Sequence, residues 1–223
     1  MKARIFTLSL ALLVLCSGCN STTPQATPQT QSQNSAQPNA GGKPPVQPVP
    51  VHKTEFMKAQ KAFQLLMSAA HLWDMDAKPA SLQSAMRKEN PSDGSSCVWG
   101  LIVVSEKKKQ INTFIWSGIS ATDAPIPGII GAKPAEYQAG NPNTTPFDPT
   151  LFKVDSDIAF AALQKKNGGT LVNKEDSKLK YTLKYETTNK QLMWHIDIGP
   201  KEDKIDRKFL LNAASGIIGQ TQK

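Results

Sequence analysis

The 223-residue chain predicts an α+β fold, an antiparallel sheet packed against two main helices, and three observations carry that expectation. Apolar residues recur three or four apart in TEFMKAQKAFQLLMSAAHLW (residues 54–73) and in VDSDIAFAALQKK (154–166), the period of a helix with one buried face. LKYTLKYE (179–186) and LMWHIDI (192–198) alternate apolar with polar positions, the period of a strand with one wet face. Charged or turn-forming residues separate the strand-like runs by only a few positions, which favours hairpins over parallel crossovers.

Taken in order, the first helix has Thr54 as its expected N-cap and an inward face of Phe56, Ala59, Phe63, Leu66, Ala70 and Trp73. A second short helical piece is expected from Pro79 to Lys88. CVWGLIVVS (97–105) and QINTFIWSG (110–118) then form a hairpin with a charged tip, the first strand buried on both faces, the second packing mainly through Phe114 and Trp116.

Residues 119–149 are rich in Pro and Gly and too long for an ordinary connection. Ile126, Ile129, Ile130, Tyr137 and Phe147 are the positions through which this loop is expected to pack on the domain. The helix that follows is capped by Asp155 or Ser156, faces inward through Ile158, Ala162 and Leu163, and stops at Asn167-Gly168-Gly169.

In the two alternating strands Leu179, Tyr181, Leu183 and Tyr185 share one face with Trp194, Ile196 and Ile198. Met193, His195 and Asp197 point the other way. FLLNAASGII (209–218) is too interrupted for a helix. It reads as the end of a strand, a turn from Asn212 to Gly216 with Gly216 at positive φ, and a resumed edge pairing at Ile217 and Ile218.

The amino terminus carries a different message. MKARIFTLSLALLVLCSGCN has two basic residues, then an uncharged apolar run shorter than the roughly 20 residues that span a bilayer, then small residues. Ser17-Gly18-Cys19 resembles the end of a bacterial lipoprotein signal, which is cut before a cysteine that receives a diacylglycerol. Cys16 stands where such signals usually have Leu.

The resemblance implies a signal peptide over residues 1–18, acylated Cys19 as the first mature residue, and a lipid bilayer as partner through those acyl chains. Asn20, where an Asp would favour inner-membrane retention, implies the outer membrane facing the periplasm, with the cell surface as the other destination. Residues 19–53 are rich in Pro, Gln, Thr, Ser and Asn and hold no Phe, Trp or Tyr, a composition expected to form an extended, disordered tether.

All 18 acidic residues lie from Glu55 onward, so the folded part is placed there. It divides into an N-terminal α+β half with the long loop (54–149) and a C-terminal half (150–223). Removing Lys2, Arg4, Lys43 and Lys53 leaves 22 basic against 18 acidic residues, a formal +4. Arg is scarce and no basic stripe interleaves with aromatics, so no nucleic-acid partner is expected. Cys97 is the folded part's single cysteine, which excludes an internal disulfide there.

DSDIAFAALQKKNGGTL, YTLKYE, MWHIDI and FLLNAASGII together are similar to the PepSY domain: a helix ending near Gly, a strand, an aromatic-containing strand, and a closing hydrophobic-Asp-Ala-x-Thr-Gly-hydrophobic segment. Asn212, Ala213, Ser215 and Gly216 occupy the places of that closing segment. The resemblance implies a small non-catalytic module of the envelope that binds or inhibits, and possible tandem PepSY-like halves.

Candidate chemistry is sparse. His71 and Asp74 lie one helical turn apart, a spacing that suits a metal, but a solvent-facing helix end is the simpler reading. Cys97, His195 and Asp197 are the components of a thiol site, with nothing in the sequence to bring them together. No nucleophile elbow, phosphate loop, dinucleotide fingerprint or His-Glu-x-x-His occurs. The chain is therefore expected to be no enzyme and to need no cofactor or metal, with an unrecognised hydrolase as the remaining catalytic alternative. Trp116, Trp194, His195 and Asp197 are the candidate binding surface for a protein or peptide partner. The alternative is an assembly lipoprotein docked on an envelope complex.

Overall fold

The computed structural model describes residues 53–169 and 177–219; the signal, Cys19 and the tether lie outside them. Helix α1 (Ala59–Trp73) precedes strands β1 (Lys78–Ser84), β2 (Val98–Ser105) and β3 (Gln110–Ser117). Two short strands, β4 (Gly128–Gly131) and β5 (Ala135–Glu136), and two 3-10 turns follow. Helix α2 (Ser156–Lys166) then leads into β6 (Lys178–Glu186), β7 (Gln191–Gly199) and β8 (Arg207–Asn212). All eight strands belong to one antiparallel sheet ordered β4-β3-β2-β1-β6-β7-β8, with β5 also on β3.

The segment expected to be helical from Pro79 to Lys88 is instead the central strand β1. Its residues favour a helix only weakly, whereas pairing to β2 on one side and β6 on the other buries Ala80, Leu82 and Ser84, and tertiary context overrides propensity of that size. Pro79 is tolerated because the register slips between Pro79 and Ser81, a bulge at which its missing N–H costs no ladder bond.

Helix α1 starts at Ala59 rather than next to Thr54, because Met57 is held as extended chain by reciprocal bonds with Ser96 (3.1 and 3.0 Å). Lys58 at the cap position supplies no side-chain bond. The other helix does so: Ser156 Oγ accepts from Ala59 N at 3.0 Å and Asp155 Oδ1 from Gln60 N at 2.9 Å, while Asp155 also caps its own helix through Ser156 N at 2.7 Å. Two helix N-termini, each with unpaired N–H groups and a positive dipole end, thus share one carboxylate. A Lys58–Asp157 ion pair closes over the junction.

Helix α1 buries Ala59, Ala62, Phe63, Leu66, Met67 and Ala70; Phe56, outside the helix, is exposed, and Trp73 is half-buried. Helix α2 buries Ser156, Ala159, Phe160 and Leu163, so Ile158 is an exposed position and not an inward one. The 156/159/160/163 spacing faces the sheet, and Ile158 lies off it by half a turn. Asp74, expected on a solvent-facing end, is buried and accepts from Ser105 Oγ and Asp76 N.

In the loop, Phe147 packs into the core and Ile130 and Tyr137 are half-buried, but Ile126 and Ile129 are exposed. The β4 backbone pairs with β3 without either side chain reaching the core.

The two halves repeat one order, a helix followed by three antiparallel strands. Trp99 on β2 donates its indole N–H to Met57 O at 2.8 Å, and Trp194 on β7 donates to Val154 O at 2.8 Å; each acceptor stands two residues before its helix. Gly118 N bonds Cys97 O (2.8 Å) and Ala213 N bonds Leu192 O (2.9 Å), in each case two residues before the Trp. Gln83 pairs with Gly100, the residue after Trp99, and Thr182 with His195, the residue after Trp194. Gln83 and Thr182 are also cross-strand partners of each other. An approximate two-fold axis therefore passes between them.

The main core lies between the helices and one face of the sheet. Aromatic contacts run through it from Trp99 to Tyr181 (6.3 Å), to Trp194 (6.3 Å), to Phe152 (5.6 Å) and to Phe63 (5.7 Å), so the halves share a single interior. The chain ends as a fold-back: Asn212 Oδ1 accepts from Ala214 N and Ser215 N (both 2.9 Å), Gly216 has φ +75°, and Ile218 bridges to Leu211.

Candidate binding surface

The face of the sheet away from the helices is the chain's other broad surface, and strand periodicity decides what stands on it. One residue from each of seven strands forms a row across the sheet: Ile130, Ile115, Gly100, Gln83, Thr182, His195 and Leu210, each the cross-strand partner of the next. Such lateral neighbours lie about 5 Å apart, so the row spans roughly 30 Å through the two-fold axis. Apolar side chains hold its ends and polar ones its middle.

Gly100 makes a dip in this row. A Cβ there would come no closer than 3.9 Å to Gln83 Cγ and 4.0 Å to Ile115 Cγ1, so neighbouring side chains stand around an unfilled position. A cavity of about 280 Å³ opens above it, walled by Gln83, Val98, Thr113 and Ile115 and rimmed by charged pairs. Arg87, largely buried, bonds Asp123 Oδ1 at 2.9 Å and Glu89 Oε2 at 3.2 Å. Lys180 Nζ lies 3.0 Å from Glu202 Oε1. A smaller cluster of Cys97, Val98 and Ile119 with Ala121 and Ala124 covers the end of this face nearest the start of the long loop.

On the other side of the axis a polar group surrounds His195. Its Nε2 lies 2.7 Å from Glu186 Oε1, off the direction of a well-formed hydrogen bond, and Lys184 Nζ lies 3.3 Å from the same oxygen. Burial, helped by Lys184, pushes the imidazole below its ordinary range against the opposite pull of Glu186 and Asp197. Burial opposes ionisation of Glu186, yet Lys184 and His195 together hold its carboxyl below the usual value. His195 is thus neutral at neutral pH and offers one donor and one acceptor.

Of the four residues expected to form a binding surface, His195 and Asp197 are on this face, Asp197 paired in register with Lys180 and Lys208. Trp116 and Trp194 are not. Trp194 has the opposite parity to His195 and Asp197 on the same strand, is fully buried, and spends its indole N–H on Val154. Trp116 lies on the helix side of β3 in the main core. An indole stabilises most where its large apolar area is buried and its N–H has a partner, and both positions supply burial.

The components of a thiol site stay apart in character. Cys97 is buried among apolar residues with Sγ 3.3 Å from Asn90 Oδ1, and burial pushes the thiol up, the opposite of an activated nucleophile. Among the described residues no cluster of three His, Cys, Asp or Glu side chains has metal-holding geometry, and no helix is long and apolar enough to cross a membrane.

Gly100, Gln83, Arg87 and Glu186 are site residues that the sequence reading passed over. The alternation of LKYTLKYE did place Lys180, Thr182 and Lys184 on the wet face, but a helix assigned at 79–88 hid the central strand and with it the row. No protein-family model matches the chain, and neither a curated protein nor a solved structure is significantly similar to it.

Proposed function

We propose that the chain is a membrane-anchored envelope lipoprotein whose folded part is a non-catalytic, PepSY-like binding or regulatory module, holding a protein or peptide partner against the open sheet face. The observation that carries this reading is the row of seven residues with the dip at Gly100. It is a broad, half-exposed strip that offers apolar side chains for burial at both ends and hydrogen-bonding groups for orientation at its centre. The repeated order of helix and three strands supports the family reading, since that is the order in which the PepSY-like pattern runs. The sheet's edges differ: Ile218 and Gly219 occupy the outer side of β8, whereas β4 has no outer neighbour among the described residues. An extended peptide would therefore add at β4.

Capture from envelope extracts with paired variants tests the reading. Gly100→Trp fills the cavity and removes a partner held on the open face, while Gln64→Arg on the exposed side of α1 leaves it bound. Equal capture by both variants and the parent chain refutes the assignment of the face. A stoichiometric envelope protein among the captured species points to assembly, and peptides or a peptidase to inhibition.

A further inference from the structure

At the far end of α1 the surface changes character. Leu72 is 92% exposed and Met75 81% exposed, far beyond what single surface apolars need. They sit beside the β2–β3 turn, because Lys108 Nζ bonds Trp73 O and lies 4.9 Å over the Trp73 ring. Lys107, Lys108 and Lys109 in that turn are all exposed. The acidic groups nearby offset them only in part: Asp74 is turned inward onto Ser105 and Glu106 is paired with Lys78 at 3.2 Å, which leaves Asp76 and, opposite Gln110 on β5, Glu136 against three lysines.

We infer that this tip, Leu72 and Met75 ringed by Lys107–Lys109 with Trp73 at their base, is a contact for an anionic lipid bilayer surface. Two apolar side chains that protrude almost whole suit a deformable headgroup layer, into which they insert without needing a matching pocket. Lysines around them meet the negative surface potential, and their aliphatic stems can lie along the interface while the ammonium groups reach phosphate. A half-buried Trp at the boundary is at home where one side is apolar and the other wet.

The position of the preceding chain fits. Glu55 bonds Gly118 just beyond one end of β3, and the Lys107–Lys109 turn lies at the other end, so the first described residues stand opposite the tip. Eight-residue β3 spans roughly 26 Å, and the thirty-odd residues after Cys19 reach about 100 Å at full extension. An anchor at Cys19 therefore allows the tip to lie on the same bilayer, although the lipid contact itself rests on the tip alone.

Amide hydrogen exchange on the full chain with vesicles of phosphatidylcholine, with or without phosphatidylglycerol, reads the contact directly. Expected is protection of residues 71–77 and 106–110 only with the anionic vesicles. Leu72→Ser with Met75→Ser abolishes it, and Lys107→Gln lowers the protection factor about fivefold, the weight of one basic charge near such a surface. Both changes are at exposed positions, and unchanged melting of the variants shows that the fold is intact. Vesicle flotation of the parent chain and of Cys19→Ala reports the anchor separately. No protection at the tip with anionic vesicles, equal protection with neutral ones, or protection that requires another envelope protein each overturns the assignment.

Discussion

Trp99 and Trp194 hold equivalent places in the two halves: each indole N–H, at 2.8 Å, bonds the carbonyl two residues before its half's helix. Each bond ties the middle strand of a three-stranded unit to the entry of the helix packed upon it. Both indoles are fully buried, but the acceptors differ: Met57 O also accepts from Ser96 N at 3.0 Å and keeps that partner once Trp99 is changed, whereas the indole is the donor that Val154 O loses with Trp194. Trp194→Phe should therefore cost about 2–4 kcal/mol, from the unpaired carbonyl and the lost volume together, and Trp99→Phe about 1–3 kcal/mol, chiefly from the lost volume. Urea midpoints at constant slope measure it, and a silent change in either half would separate the two positions.

The Gly216 turn makes a graded prediction. A Cβ at Gly216 would meet only Val154 Cγ2, at an ordinary 3.7 Å, so any cost arises from φ +75° and not from crowding. Gly216→Val should destabilise by about 1–3 kcal/mol, Gly216→Ala by less and Gly216→Asn by least, since Asn tolerates that conformation. Thermal melts of the three variants give the order.

Gly94 is the opposite case, because space as well as conformation is denied there. At φ +90° its Cβ would stand 2.4 Å from Asp157 N and Cα, the backbone of the first turn of α2. Gly94→Ala should cost about 2–4 kcal/mol. It should also raise exchange at Ala59 and Gln60, whose N–H groups depend on Ser156 and Asp155.

His195 gives the fold a pH dependence. Its folded-state value lies below the usual 6.5 or so of the unfolded chain, so as pH falls below about 6.5 the unfolded state takes up the proton first and stability declines. The decline ends once pH passes the lower folded value, and above about pH 7 the group contributes no slope. Glu186, also lowered, adds a second loss beginning below about pH 4.5. His195→Gln should flatten the upper window, as measured by unfolding free energy from about pH 5 to 8, with the His195 ring signal of the parent chain titrating below its ordinary range in NMR.

Alternation and helical period were strong enough to place both helices, the two long hairpins and the final fold-back from residues alone. Tyr181 and Trp194 fall inward by parity, and Asn212 and Gly216 turn the chain because their chemistry allows it. What stayed hidden depends on partners distant in sequence. KPASLQS is a strand only because Leu101 and Leu183 flank it, and α1 begins at Ala59 only because Ser96 holds Met57 and Asp155 waits across the core. The open face was half legible, through Thr182, His195 and Asp197. Its centre was not, since Gly100 reads in sequence as a weak point of a strand and becomes a dip only when Gln83 and Ile115 are set beside it.

The pairing of β1 with β6 across the two-fold axis has the geometry of an isologous dimer interface written within one chain. Either half alone would present an unsatisfied edge, β1 or β6, together with an exposed aromatic cluster, and the first half would also have a helix start lacking its foreign cap. Cutting the connection within residues 119–149 should thus yield two fragments that complement each other and recover the sheet on mixing. The long loop then matters less as a structural element than as the covalent link that fixes which two halves meet.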